Sequence, residues 1–280
     1  MDEELWDIAR VAEYLGVTER TVYNKVRAGD LPAVKIGRLW RVRLSDLEAW
    51  LAEGSVRASR RADTVMQTGA SERGPYPYPS ATEQPLEVRE GATVPSRDDL
   101  EALLAPLDDM LARRLAFVGL LTAAVEALGW PAPIIVGGNA VEFHTAGGYT
   151  TVDIDLVGAT EPIAQVLGEW GFTREGRHWY DEPLGLLVET PGGQLEAAAL
   201  ERVVRVSLGP VQAYVLGTED LIVDRLNACV HWGHEDSCLW AAALLKESGI
   251  VLDVAYLRAR ACEEALSERL EELLTEAGLS

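Results

Sequence analysis

Two aspartates one residue apart, Asp153 and Asp155 in Thr150-Thr-Val-Asp-Ile-Asp-Leu156, have the residue types and spacing to do chemistry. In an extended strand, side chains at i and i+2 leave the same face, so both carboxylates would point one way. Two like charges that close are costly unless a cation lies between them. Hard ions such as Mg2+, or Mn2+ in its place, are held by one or two carboxylates together with substrate phosphates. Upstream, Val136-Gly-Gly-Asn-Ala140 places Gly137 and Gly138 where an apolar run ends. A glycine turn there lets backbone amides approach a triphosphate. A third carboxylate should come from a neighbouring strand. Glu189 closes the apolar run Leu186-Leu-Val-Glu-Thr190 just before Pro191-Gly-Gly, whereas Asp181 and Glu182 precede Pro183-Leu-Gly and read as turn residues. Asp153, Asp155 and Glu189 are therefore the expected metal ligands and catalytic carboxylates, able to hold two ions about 3.5–4 Å apart.

Gly137-Gly138 followed by Asp153-x-Asp155 resembles the signature of minimal nucleotidyltransferases of the polymerase-beta type. It is more similar still to those of bacterial abortive-infection and toxin–antitoxin systems. The resemblance spans residues 115–260. It implies an α/β (α+β) fold with a small mixed sheet and C-terminal helices, and transfer of a nucleotide from a nucleoside triphosphate with release of pyrophosphate. It also implies that Gly137, Gly138 and Asn139 hold phosphates, with hydroxyl contacts from Thr150 and Thr151. Arg225 stands where many such enzymes carry a lysine directed at the triphosphate. Of a Lys-Asp-x-x-Asp pattern on the next helix, Glu235-Asp236-Ser-Cys-Leu-Trp240 keeps only Asp236. Acceptors in such systems include tRNA and partner proteins, so an RNA, a protein or a small molecule is expected here.

The elements that must position these groups follow from periodicity over residues 96–280. Ser96-Arg-Asp-Asp reads as a helix cap before Leu100, Leu103, Leu104, Leu107 and Met110, with Pro106 breaking the helix. Residues 116–128 continue as a buried helix into strand Ile134–Val136. Thr218 is expected to cap a further helix, with Glu219 and Asp220 in its first turn. His231, His234 and Cys238 would share a helix face but lack a second ligand cluster, so they read as polar residues at a cleft edge. Residues 256–274 read as one amphipathic helix. Residues 54–95, rich in Ser, Arg, Gly and Pro and containing Pro75-Tyr-Pro-Tyr-Pro79, read as a linker that is mobile or straps across a neighbour.

Residues 1–53 have a different character. Ile8, Val11, Ala12 and Leu15 follow helical spacing, and Thr18 caps a second helix marked by Val22 and Val26. Two alternating segments, Leu31–Ile36 and Leu39–Leu44, follow as a hairpin over Gly37-Arg38, and Ser45 caps a closing helix. Helix, turn, helix and basic hairpin describe a winged helix-turn-helix. From Arg20 to Arg43 stand seven basic residues and one acidic residue. The segment Ile8 to Tyr23, with Gly29-x-Leu-Pro and Lys35-Ile-Gly-Arg, resembles excisionase-type and MerR-type DNA-binding domains. That resemblance implies that Thr18, Arg20, Thr21, Tyr23, Asn24 and Lys25 approach the major groove of double-stranded DNA. Lys35, Arg38 and Arg41 would meet phosphate or minor groove.

Composition limits the alternatives. The net charge of −20 excludes nonspecific nucleic-acid binding over the whole surface, so any such contact is local. Three cysteines without a CxxC pair suit a reducing compartment, and no apolar run approaches a membrane span, so a cytoplasmic location and no membrane partner are expected. DNA-binding domains of this type often work in pairs, which makes a homodimer an expected arrangement. Three functions remain: a DNA-tethered nucleotidyltransferase in toxin–antitoxin or phage defence, a regulator whose inactive nucleotidyltransferase-like domain senses a nucleotide, or a DNA end-modifying repair enzyme.

Overall fold

The computed structural model describes residues 5–15, 22, 25–26, 31–36, 39–51, 71–83, 93–247 and 251–279. The chain divides into two compact units, residues 1–60 and 61–280. Among the described residues no helix is long and apolar enough to cross a membrane.

The first unit contains β1 (Leu5–Trp6), α1 (Ile8–Leu15), β2 (Val34–Ile36) and β3 (Leu39–Arg43). Asp7 starts α1 by accepting a hydrogen bond from the Arg10 amide across 2.9 Å. The strands form an antiparallel sheet in the order β1-β3-β2. Trp6, Val11, Ala12, Val22, Val26, Leu31, Val42 and Leu47 make its core. Val22 and Val26 sit one helical turn apart and are both buried, which is what the expected second helix needs. Residues 44–51 are helical and begin two residues before the expected position. The hairpin of β2 and β3 is the expected wing, while its turn at Gly37-Arg38 lies outside the described residues.

The second unit is an α+β domain. Its elements are β4 (Ser71–Gly74), α2 (Arg97–Leu104), α3 (Met110–Ala127), β5 (Ile134–Val136), α4 (Gly137–His144), β6 (Asp153–Val157), α5 (Thr160–Glu169), β7 (Thr173–Glu175), β8 (His178–Asp181), β9 (Leu186–Glu189), α6 (Ala197–Leu200), β10 (Val203–Leu208), β11 (Val211–Val215), α7 (Thr218–Trp232), α8 (Glu235–Lys246), α9 (Val254–Glu263) and α10 (Ser267–Ala277). Eight strands form one mixed sheet in the order β4-β10-β11-β5-β6-β9-β8-β7. The pleat sorts their side chains. Ile154, Leu156, Leu186, Val188 and Trp179 join the core built with α3 and α5, whereas Val157, Ile134 and Tyr214 join a smaller cluster on the other side. Asp153 and Asp155 alternate with the first set, so they belong to the second face.

Pro106 separates α2 from α3 as expected, and α3 starts earlier than expected, at Met110, where Asp109 caps Ala112 across 2.9 Å. A capping box between Ser96 and Asp99 starts α2.

Other expectations need correction. Of the two forms expected for the linker, residues 71–83 take the strap and not the mobile one: β4 (Ser71–Gly74) pairs with β10, and Tyr76 is buried with its hydroxyl donating to the Ala132 carbonyl. Tyr78 donates to Glu126 across 3.0 Å. Composition left both forms open because the anchors are aromatic side chains rather than a periodic run. Thr218 does not cap α7; Gly217 holds that position and the Thr218 hydroxyl meets His144 Nδ1 at 3.2 Å. The tail is two helices, broken where Ala265 adopts φ +57. Asp181 is no free turn residue but a buried ion-pair partner of Arg97. Cys229 and Cys238 form a disulfide joining α7 to α8, and Cys262 is an exposed free thiol. This goes against the reducing compartment expected from the missing CxxC pair: a helical hairpin brings together two cysteines nine residues apart.

Candidate metal centre

β6 and β9 run parallel, with Asp153 opposite Leu187 and Asp155 opposite Glu189. That register puts all three acidic side chains on one face. A ligand oxygen from each of Asp153, Asp155 and Glu189 lies within 4.8 Å of the others. An all-oxygen, all-carboxylate set suits a hard divalent ion such as Mg2+ or Mn2+ better than zinc. The sequence-predicted trio is thus brought together, with each member half-buried.

Gly137 opens α4 with φ +58, a conformation that L side chains rarely adopt. The next amide, that of Gly138, donates to Asp155 Oδ2 across 3.1 Å. Thr151 is buried, and its hydroxyl donates to Asp153 Oδ1 across 2.5 Å. Its carbonyl in turn accepts from Arg114, whose other nitrogen meets Glu142 at 2.5 Å. A buried pair on α3 and α4 therefore braces the loop that leads into the first aspartate. Sequence reasoning missed Arg114 and Glu142; a charged residue within the apolar α3 pattern was the available signal.

Burial first, then the neighbouring Asp153 carboxylate, raises Asp155 to about 6, with Glu189 adding to the push. The Gly138 amide and Arg225 act the other way. Glu189 also has basic neighbours: Arg177 Nε lies 2.8 Å from one oxygen, and His178 Nε2 lies 3.3 Å from the other. Arg177 is largely exposed, so this pair is held in water rather than locked in the core.

The expected phosphate contacts are more mixed. Gly138 spends its amide on Asp155. Asn139 is fully buried and donates to Glu142 across 3.4 Å, so its side chain faces inward rather than into the cleft. A polar residue in the first turn of a helix gives no sign from sequence of which side it faces. Thr150 is half-buried at the entrance to β6. Arg225 is paired with the adjacent Asp224 yet near enough to influence Asp155 and Tyr149. Tyr149 packs edge-on against Trp240 with ring centroids 4.4 Å apart. A β-carbon on Gly138 would come within 3.2 Å of the Tyr149 ring, so the aromatic pair borders the glycine turn. Asp236 lies in the first turn of α8. The histidines do not form a metal site with Cys238, which is disulfide-bonded: His231 Nε2 lies 3.1 Å from the Glu264 carbonyl oxygen, and His234 stands at the N-cap position of α8 with no capping hydrogen bond from its side chain.

In the first unit, Lys35 on β2 is exposed, its amine 5.4 Å from the Trp40 ring. Arg41 on β3 donates to the Trp40 carbonyl across 2.9 Å, and the Lys25 amine lies 5.8 Å from the Trp50 ring. Thr18, Arg20, Thr21, Tyr23, Asn24 and Arg38 lie outside the described residues.

Residues 7–55 match the family model of a helix-turn-helix domain. The chain therefore carries an N-terminal helix-turn-helix, a fold that binds DNA by placing its second helix in the major groove. No curated protein and no solved structure matches the chain.

Proposed function

We propose that the chain is a DNA-tethered nucleotidyltransferase that uses Mg2+ or Mn2+ and a nucleoside triphosphate. The observation carrying this reading is the convergence of Asp153, Asp155 and Glu189 beside a glycine turn that only glycine can make. The donor set fits a hard cation, which those three residues would hold. When bound, the ion would polarise phosphate oxygens and neutralise charge on the departing pyrophosphate. An acceptor hydroxyl attacks the α-phosphorus, the bond to the bridging oxygen of the β-phosphate breaks, and pyrophosphate leaves. The proton from the hydroxyl passes to a carboxylate of the trio. Arg225, whose charge reaches Asp155, would turn from Asp224 to a phosphate, and the helix-turn-helix would keep the enzyme on double-stranded DNA. Incubation with labelled triphosphates, Mg2+ and total RNA or protein tests this. Label transfer by the wild type and none by Asp153→Ala supports the reading; no transfer by either overturns it.

A second reading has its own support. Asn139 is turned inward, Arg225 is engaged by Asp224, and only Asp236 remains of the pattern that would face the triphosphate. These features favour a DNA-binding regulator that senses a nucleotide without turning it over. Saturable ATP or CTP binding with no transfer would select it. A role in defence, a tRNA or partner-protein acceptor, a homodimeric state and a cytoplasmic location belong to the first reading as further expectations.

A further inference from the structure

One covalent bond in the second unit is tied to the carboxylate centre through two helices. The Cys229–Cys238 disulfide joins the end of α7 to the start of α8 across Gly233, whose φ of +70 turns the chain. Each helix also carries a side chain that borders the centre. Arg225, whose charge reaches Asp155, stands one helical turn before Cys229 and so on the same side of α7. Trp240, two residues beyond Cys238, packs against Tyr149 at the glycine turn. The bond therefore fixes how α7 and α8 present both side chains.

The fold has little need of a staple there. Leu226 of α7 and Ala241, Leu244 and Leu245 of α8 already join the main core. A cross-link between residues only nine apart restrains the unfolded chain less than one over a long loop. The helix-turn-helix ties the chain to DNA, and DNA lies where thiols are kept reduced. Disulfides in such compartments are usually transient and serve redox sensing or catalysis. This one is also within reach of a reagent. Cys238 is buried, but Cys229 is half-buried, and Val230, Trp232 and Leu239 beside the pair in sequence are exposed.

We propose that Cys229 and Cys238 form a reversible redox switch on the carboxylate centre, whose reduced form binds nucleoside triphosphate more tightly than the oxidised form. This rests on the reading of the trio as a nucleotidyltransferase centre and names its regulation. In the oxidised form Arg225 is paired with Asp224. Reduction is carried out by a small thiol. Its thiolate attacks the Cys229 sulfur, Cys238 leaves as a thiolate and takes up a proton, and a mixed disulfide remains. A second small thiol attacks that mixed bond and frees Cys229. The protein disulfide gains two electrons and two protons, and the two small thiols end as one small disulfide. Two thiols cannot stand as close as two bonded sulfurs, so the helix ends shift and Arg225 is released towards a phosphate.

The test uses the full chain, treated with excess oxidised or reduced glutathione and then freed of it. Peptide mapping after alkylation is expected to find Cys229 and Cys238 linked after the first treatment and both alkylated after the second. ATP with Mn2+ is expected to bind the reduced form on the order of tenfold more tightly, an ordinary size for one coupling between sites. Cys229→Ser, which cannot close the bond, is expected to bind like the reduced form after either treatment. Mn2+ alone is expected to bind all forms equally, since the three acids are unaltered, and circular dichroism should find all forms folded. ATP binding that is equal in the two forms, or tighter in the oxidised one, overturns the proposal. So does a bond that reduced glutathione leaves intact, or a reduced chain that unfolds, since each marks a structural staple. If Mn2+ binds the wild type despite such a failure, the nucleotidyltransferase reading stands; if Mn2+ binds neither form, the reading itself falls.

Discussion

A β-carbon added to Gly137 would lie 2.0 Å from Oδ2 of Asp155. The turn and the carboxylate can approach only because that position lacks a side chain, and the +58 φ of Gly137 aims the following amide at the same oxygen.

Gly137→Ala should therefore destabilise the domain by about 1–3 kcal/mol from backbone strain alone, with the clash adding to it. It should also weaken Mn2+ binding, because Asp155 must move. Thermal melting and Mn2+ titration of the variant check both; a variant that melts and binds like the wild type would show that the contact is incidental.

The pH dependence of the centre follows from Asp155. Its folded value, about 6, lies above that of a free aspartate, so its protonation favours the folded state. This contribution is present at low pH and is lost as pH rises from the ordinary aspartate range through about 6. Metal binding should run oppositely, weakening as pH falls below about 6, because the ligand must be ionised. Mn2+ titrations from pH 5 to 8 should show that decline in the wild type and a smaller one in Asp155→Asn. A wild-type affinity that does not vary with pH would contradict it.

His144 works with the opposite sign. Burial first holds it down to about 4, with the Leu216 carbonyl oxygen and the Thr218 hydroxyl at its two nitrogens. Its stabilisation is present above the free imidazole value and is lost as pH falls from there through about 4. Urea unfolding of wild type and His144→Gln over that range should show a shallower acid loss in the variant. Parallel curves would remove the histidine from the account.

Arg114 and Glu142 are both buried, and together they brace Thr151. Arg114→Met should destabilise by roughly 3–5 kcal/mol, since it leaves a buried charge uncompensated, and replacing both partners by apolar residues should recover much of the loss. Chemical denaturation of the single and double variants decides this; equal losses would refute the pairing argument.

Much of the centre was legible because a strand repeats every two residues. Asp153-x-Asp155 in an apolar run fixes its own face, and Glu189 at the end of another such run needs only a parallel neighbour. Gly137 was legible because φ above zero selects glycine. Asn139 was not, because helix start and buried face are both open to a polar residue. Arg114 and Tyr149 were illegible for a different reason, and the strap was legible only as one of two forms: each acts through contacts distant in sequence, which local periodicity does not encode. The helix-turn-helix could be read almost whole, since its short core needs Val11, Val22, Val26 and Val42 in a compact order.

Duplex DNA binding by the first unit should depend steeply on salt. Lys35→Ala and Arg41→Ala should each lower the salt-dependence slope by about one if the lost contact is to phosphate. Binding isotherms at several salt concentrations measure this, and unchanged slopes would place the DNA contact away from the wing.

The most direct measurement is the binding of Mn2+ to the wild type and to Asp153→Asn, with the stability of both followed in its absence. If the three acids exist to hold a cation, the wild type binds Mn2+ and melts higher with it. Asp153→Asn then binds at least about tenfold more weakly, about 1.4 kcal/mol, yet melts no lower than the wild type without metal, because a like charge has been removed. Failure of the wild type to bind, or a variant that binds equally well, would contradict the account.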